Sequence, residues 1–355
     1  MVRIASDDER LTWSGAVSLE RGDGWVKPWR VPYEDLDLYS PGDPALAVRA
    51  EMPSGVRLRF GTDAERFTFE TQPMNEIANV GAGPSPKQFD LYVGDTMASR
   101  AEFTDGATSV QLEGLPAGEK TVDVWLPQGI AVALRGIDLP EGTRLYATSD
   151  DRPRWVVYGS SITHCRTAES PSYTWPGIVA RARGLNLTSL GLGGQCHADP
   201  MIARLIRDLP ADLITLKLGI NIYGNNTMSG RTFRPAVLGT IATIRDGHPD
   251  TPLVLCSPIF GVHRETTPND TGMTLPIMRD EIRDAVESFR RRGDDRIYYV
   301  DGLKLFGEDL AHLLPDNLHP NPEGYKLLAQ NFLHEVFNVQ GVQDSSVRTQ
   351  GPVGV

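Results

Sequence analysis

"RWVVYGSSIT", residues 154–163, runs from the apolar stretch Trp155-Val156-Val157 straight into Gly159-Ser160-Ser161. A short apolar run closed by a turn signal is the pattern of a strand buried on both faces. The paired serines admit two readings. They end the strand as a common Gly-Ser turn, or they hold a hydroxyl at the top of a sheet, where a neighbouring base makes it nucleophilic.

Four more apolar runs follow, near 186–191, 212–218, 252–257 and 296–301, with helical patterns between and after them. One helix is RTFRPAVLGTIATIRDG at 231–247, with Pro235 confined to its first turn, and the last is PEGYKLLAQNFLHEVF at 322–337. Strand and helix in alternation predict a parallel sheet covered on both faces. Ligands of such open sheets bind beyond the carboxyl ends of the strands, so the residues just after each strand are the ones to inspect.

Upstream, from about residue 10 to 150, the period changes to two. VRLRF places Val56, Leu58 and Phe60 on one face and Arg57 and Arg59 on the other, and FDLYV (89–93) and TVDVWL (121–126) alternate in the same way. Turn signals such as Gly22-Asp23-Gly24, Pro53-Ser54-Gly55 and Pro116-Ala117-Gly118 punctuate these runs. Short strands at this spacing predict an antiparallel, jelly-roll-like sandwich. The expected organisation is therefore an all-β domain over 1–150, an α/β domain over 151–338, and a disordered tail over 339–355, rich in Gly, Gln, Ser and Val. At 355 residues, two domains are also the prior from length.

Composition narrows the function. A net charge of −11, without a basic block interleaved with aromatics, argues against nucleic acid as a partner. The start, MVRIASDDERL, lacks the basic and apolar regions of a secretion signal, and no run approaches eighteen apolar residues. Cys165, Cys196 and Cys256 are too few and too odd in number for a disulfide framework. The expectation is a cytoplasmic protein with free thiols and no membrane partner.

Four strand ends carry chemistry. The first gives Ser160 and Ser161 at the start of a helix, where free N–H groups favour negative charge. The second, SLGLGGQCHADP (189–200), has three glycines in four positions, which let the backbone approach a ligand or take positive φ. It is neither G-x-G-x-x-G nor followed by G-K-[ST], so no nucleotide or other cofactor is expected. The third, LKLGINIYGNN (216–226), places Asn221 as a turn residue or as an amide donor. Finally, LPDNLHPNPEGY (314–325) holds Asp316 and His319 three apart, on one side of a single helical or 3₁₀ turn. Asn321 and Pro322 read as N-cap and first residue of the last helix. Taken alone this pair is either part of a solvated loop or a carboxylate beside an imidazole, which fixes the tautomer and stabilises the imidazolium.

Together these blocks resemble the SGNH, or GDSL-type, hydrolases. That family is named for four residues in four separated blocks, matched in order by Ser161 in YGSSIT, Gly194 in GLGGQC, Asn221 in LGINI and His319 in DNLHP, with Asp316 at the family's acid position. The resemblance spans about 150–338 and implies a flavodoxin-like three-layer α/β/α sandwich. It also selects Ser161 over Ser160, because the aligned nucleophile is the second serine. Three positions depart from the usual wording: Ser160 stands for an aspartate, Gln195 for another, and Ile222 for a third. The sandwich joined to such a domain is similar to a two-domain bacterial branch, which includes esterases of acylated sugars and an acyltransferase of tetracycline-type antibiotic tailoring.

By this resemblance, Ser161, His319 and Asp316 form a catalytic triad, with an oxyanion hole from the Ser161 and Gly194 N–H groups and the Asn221 amide. The substrates implied are a small-molecule ester or acyl-CoA donor and a hydroxyl acceptor or water. The loops 222–230 and 260–273 are the expected pocket walls. The rival from another class is a glycan- or partner-binding protein carrying an inactive domain of this kind. His164-Cys165 and Cys196-His197 suggest zinc only superficially, since no Cys-x-x-Cys or His-x₃-His spacing accompanies them, and no metal is expected. Trp25, Trp29 and Trp175 read as packing residues, with carbohydrate stacking the alternative for the first two.

Overall fold

The computed structural model describes residues 1–40, 42–77 and 83–343. The chain divides into two compact units. One comprises Met1–Asp151 together with 166–177 and 186–189; the other comprises Arg152–Cys165, Ile178–Leu185 and the chain from Leu190 onward.

The first unit holds two antiparallel sheets. In one, Ser18–Gly22, Trp25–Trp29, Leu134–Leu139, Arg66–Met74 and Ala107–Glu113 lie in that order, with Val2–Ala5 also paired to Leu134–Leu139. In the other the order is Leu145–Tyr146, Arg57–Thr62, Lys120–Trp125, Gln88–Val93 and Thr96–Glu102, with Thr12–Ser14 added to Arg57–Thr62. Period-two alternation sends Leu58, Phe60, Phe89, Leu91, Val122 and Val124 into a core shared with Phe67 and Phe69 of the facing sheet. Phe60, Phe67, Phe69 and Phe89 form a continuous chain of tilted and edge-on rings. Each such ring, fully buried, contributes about 1.5–3 kcal/mol.

The other face of these strands is polar and yet also buried. Arg57 donates from Nη1 to the carbonyls of Gly55 (2.8 Å) and Leu187 (3.0 Å), and from Nη2 to Asn186 Oδ1 (2.7 Å). Asp90, fully buried, accepts from Arg100 Nε (2.8 Å), Ser172 N (3.0 Å), Ser172 Oγ (2.6 Å) and Ser170 Oγ. These bonds explain why 166–177 and 186–189 group with the first unit: they satisfy a polar strand face that alternation alone reads as the outer one.

The strands Arg154–Gly159, Asn186–Gly191, Leu213–Lys217, Leu253–Cys256 and Ile297–Val300 form the expected parallel sheet, with the second strand at one edge, then the first, third, fourth and fifth. This is the 2-1-3-4-5 order of flavodoxin-like folds. The first connection runs towards one edge and the later ones towards the other, so right-handed crossovers put helices on both faces. Pro200–Asp208, Phe233–Gly247 and Leu275–Arg290 pack in sequence against one another. Pro322–Phe337 starts as expected: the Asn321 side chain accepts from Gly324 N at 2.8 Å, with Pro322 in the first turn. The direction of the chain reverses between the first and third strands, and that switch point is where a site is expected.

Beyond this helix, Gln340–Gln343 forms one more helical turn anchored by buried Val342, a difference from the disordered tail expected from residue 339. Residues 344–355 of that tail lie outside the described residues. Among the described residues, no helix is long and apolar enough to cross a membrane.

Candidate active site

Ser161 begins a one-turn helix, Ser161–His164, directly after the first strand. Ser160 is its N-cap: extended at ψ −162°, it accepts from Ile162 N at 3.2 Å through its hydroxyl. Serine is among the preferred N-cap residues, as is aspartate, so this departure from the family wording keeps the capping bond. The helix is pressed tightly against its surroundings. A Cβ at Gly159 would lie 2.2 Å from Thr163 Oγ1, and one at Gly191 would lie 2.4 Å from His164 N.

Across the sequence, 158 positions on, His319 Nε2 lies 2.7 Å from Ser161 Oγ. On the other side of the ring, Nδ1 lies 2.6 Å from Asp316 Oδ2. A carboxylate only accepts, so Nδ1 carries the proton and the Nε2 lone pair receives the serine hydroxyl. Asp316 and His319 meet through a tight turn and not through the expected helical or 3₁₀ turn. Asn317 takes left-handed φ +62°, and Asp316 Oδ1 accepts from Leu318 N (3.0 Å) and His319 N (2.7 Å). Burial raises the Asp316 carboxyl, but the His319 N–H and ring and the Leu318 N–H outweigh it and hold the carboxyl below its ordinary value.

The second block folds as a four-residue turn closed by Gln195 N donating to Leu192 O at 3.0 Å. Gly194 takes φ +75° there, with open space where a Cβ would stand. In the third block Gly219, at φ +116°, leads into the helix Ile220–Gly224; a side chain at Gly219 would collide with Pro258 Cγ at 2.7 Å. Asn221 Oδ1 accepts from Cys196 N at 3.1 Å. That bond fixes which end of the amide is oxygen, and the Nδ2 end has no hydrogen-bond partner among the described residues. Asn221 is thus tied to the glycine turn, whereas Ser161, His319 and Asp316 are tied to one another.

Beneath these loops the third strand ends in Lys217, whose carbonyl accepts from Cys196 Sγ at 3.8 Å. Burial pushes the Cys196 and Cys256 thiols up to about 12 and lowers Lys217 to about 8. These thiols are neutral at pH 7.

Several neighbours were given no individual role in the site by their sequence. His197 Nε2 lies 3.0 Å from Gly194 O and its Nδ1 lies 3.0 Å from Thr227 Oγ1, while Asn225 Nδ2 donates to the same carbonyl at 3.1 Å. The two long loops join through Asn226 Nδ2 to Asp270 Oδ2 (2.9 Å) and Tyr223 Oη to Thr267 O (2.8 Å). Arg264 Nη1 then donates to Asn317 O at 2.9 Å, inside the Asp316–His319 turn. Both loops were legible as candidate walls; their hydrogen-bond partners were not.

Two family models match the chain: SsfX3, N-terminal domain, over residues 11–135, and the GDSL-like lipase/acylhydrolase family over residues 152–336. No curated protein matches. Among solved structures, a salicylyl-acyltransferase, SsfX3, from a tetracycline biosynthetic pathway is 35% identical, with a TM-score of 0.88 over 96% of this chain and 98% of that one. A GDSL-like lipase from Bacteroides ovatus ATCC 8483, crystallised at 1.40 Å, is 19% identical with a TM-score of 0.76, covering 98% of this chain and 99% of that one. A family two carbohydrate esterase from Clostridium thermocellum, in complex with cellohexaose, is 16% identical with a TM-score of 0.64 over 94% and 99%. At those identities the last two carry the fold alone. The strand-end blocks, the sheet order and the match over 152–336 agree, and the chain belongs to the GDSL-like lipase/acylhydrolase family of enzymes acting on esters.

Proposed function

We propose that the protein transfers an acyl group through a Ser161 acyl-enzyme, from a small-molecule ester or acyl-CoA to the hydroxyl of a small molecule such as a polyketide. The observation that carries this reading is the relay of short hydrogen bonds from Ser161 Oγ to His319 Nε2 and from His319 Nδ1 to Asp316. The 35% identity to a salicylyl-acyltransferase along nearly the whole chain supports transfer to an acceptor in antibiotic tailoring over hydrolysis. In this reading 1–150 is an accessory domain and 151–338 the catalytic one. The buried free cysteines fit a reducing compartment, and the cytoplasm is the proposed location.

The chemistry runs in two balanced halves. His319 Nε2 takes the Ser161 proton as Oγ bonds to the acyl carbonyl carbon, and the carbonyl π pair moves onto oxygen. The Ser161 N–H, the Gly194 N–H and the Asn221 amide are the proposed donors to that oxyanion. As the tetrahedral centre collapses, the bond to the leaving group breaks and His319 returns the proton to it. An acceptor hydroxyl then gives its proton to His319 and attacks the ester, and Ser161 leaves with that proton. Asp316, held ionised, stabilises the imidazolium in both halves.

The test is to incubate wild type and Ser161→Ala with aryl acyl-CoA and p-nitrophenyl ester donors, with and without a polyhydroxylated aromatic acceptor, and to follow products by mass spectrometry. Acylated acceptor that disappears with Ser161→Ala is the expected outcome. Free acid alone would make the protein an esterase; no serine-dependent turnover with any donor would overturn the catalytic reading.

A further inference from the structure

We infer that His197 and Asn225 are positioning residues that hold the glycine turn in the one conformation able to present the Gly194 N–H to an oxyanion. The inference rests on the proposed role of Gly194 and asks what keeps that N–H aimed.

The turn Leu192-Gly193-Gly194-Gln195 has its closing bond at 3.0 Å and φ +75° at its third residue, which is the type II arrangement. Types I and II differ mainly by a flip of the central peptide, here the unit between Gly193 and Gly194. That unit carries the Gly194 N–H, so a flip to type I, with φ near −90° at Gly194, turns the donor to the opposite side. With glycine at both central positions, side-chain sterics do not choose between the two forms. The selection must come from contacts.

The contacts converge on the next peptide. Gln195 N donates to Leu192 O, and Gly194 O receives two donors from outside the turn. A carbonyl oxygen only accepts, so His197 Nε2 carries its proton, and Nδ1 is left to accept the Thr227 hydroxyl at 3.0 Å. Asn225 Nδ2, 3.3 Å from His197 Nε2, faces another donor there; the two side chains share one acceptor and are not bonded to each other. Gripping the Gly194–Gln195 peptide at both ends opposes the rotation about Gly194 that a flip requires. Asn225 and Thr227 come from the 222–230 loop, so the geometry of the turn is set from that loop.

The test uses the full-length protein and a p-nitrophenyl ester, with Ser161→Ala run in parallel. His197→Ala and Asn225→Ala each leave one donor on the carbonyl, and each is expected to lower kcat less than about 5-fold. The double variant is expected to lose about 30- to 100-fold, more than the product of the singles, with KM within about 2-fold. An aryl boronic acid, whose tetrahedral adduct places an oxygen where the oxyanion forms, should lose affinity by the same factor as kcat. His197→Gln, which keeps an N–H donor, should restore kcat to within about 2-fold of wild type. Asn225→Asp, nearly isosteric but without the donor, should fall below Asn225→Ala, and these two conservative variants carry the test if the double variant does not fold. A double variant with wild-type kcat, or one in which KM alone rises, would overturn the inference while a dead Ser161→Ala left the serine reading standing. An active Ser161→Ala would instead overturn both.

Discussion

Replacing Lys217 with methionine is expected to stabilise the protein near neutral pH. Lys217 ends the third parallel strand, is 4% exposed, and has its ammonium lowered from 10.5 to about 8 by burial, which outweighs the opposing effects of Cys256, Cys196 and Cys165; Arg279 adds the smallest contribution, also lowering it. Its thiol neighbours offset only part of the penalty, because burial keeps Cys196 and Cys256 protonated to about 12. A lysine whose folded value lies below its unfolded one destabilises wherever it is charged in both states, and the penalty fades as pH rises from the folded value to the unfolded one. A shift of 2.5 units at 1.36 kcal/mol each gives a penalty of about 3 kcal/mol at pH 7 and about 2 kcal/mol at pH 9. Methionine fills similar volume with no charge. Equilibrium denaturation of both proteins from pH 6 to 9 reads the difference, and the comparison cancels the thiols, whose raised values lower stability in both proteins as pH climbs past 9. A Lys217→Met variant that is less stable at pH 7, or a difference that does not narrow with pH, would refute the reasoning.

Asn221→Ala is expected to lower kcat by about 10²- to 10³-fold with little change in KM, read by initial rates, because it removes one proposed oxyanion donor and not a binding contact. Asp316→Asn is expected to lower kcat by about 10⁴-fold, since an amide can present a donor to Nδ1 and select the wrong ring tautomer. Asp316 is depressed in the folded state, so its contribution to stability is present above its unfolded value near 3.8 and is lost as pH falls through the lower folded one; acid titration of wild type against Asp316→Asn checks the sign. Asp90→Ala is expected to destabilise the first unit by about 1–3 kcal/mol in thermal or chemical melts, because it removes the acceptor shared by the buried Ser170 and Ser172 hydroxyls, while the part-exposed Arg100 keeps Glu169 as a partner.

The strands of the second unit were legible because each is a short apolar run between helical patterns, a signal carried by neighbouring residues. Local chemistry likewise announced Asn321 and Pro322 as a helix start. Other features depend on partners that no window of sequence contains. The face bearing Arg57 and Asp90 alternates like an outer face and is buried because Asn186 and Ser172, far along the chain, add hydrogen bonds to those from nearby Gly55 and Arg100. Asp316 and His319 do meet, but not through the helical or 3₁₀ turn that their spacing suggested; the turn that forms depends on Asn317 adopting left-handed φ, which asparagine tolerates without requiring.

The sequence alone determined the alternation of periods, the order of the strands along the chain and the residue types at their ends, because side-chain periodicity and turn chemistry are local. Only the tertiary structure decided that His319 meets Ser161 across 158 positions, that the Asn221 amide is oriented by the Cys196 N–H, and that the His197 ring and the Asn225 amide both reach the Gly194 carbonyl. Hydrogen bonds are satisfied at about 3 Å in space whatever the separation in sequence, so their partners become known only when the chain has folded.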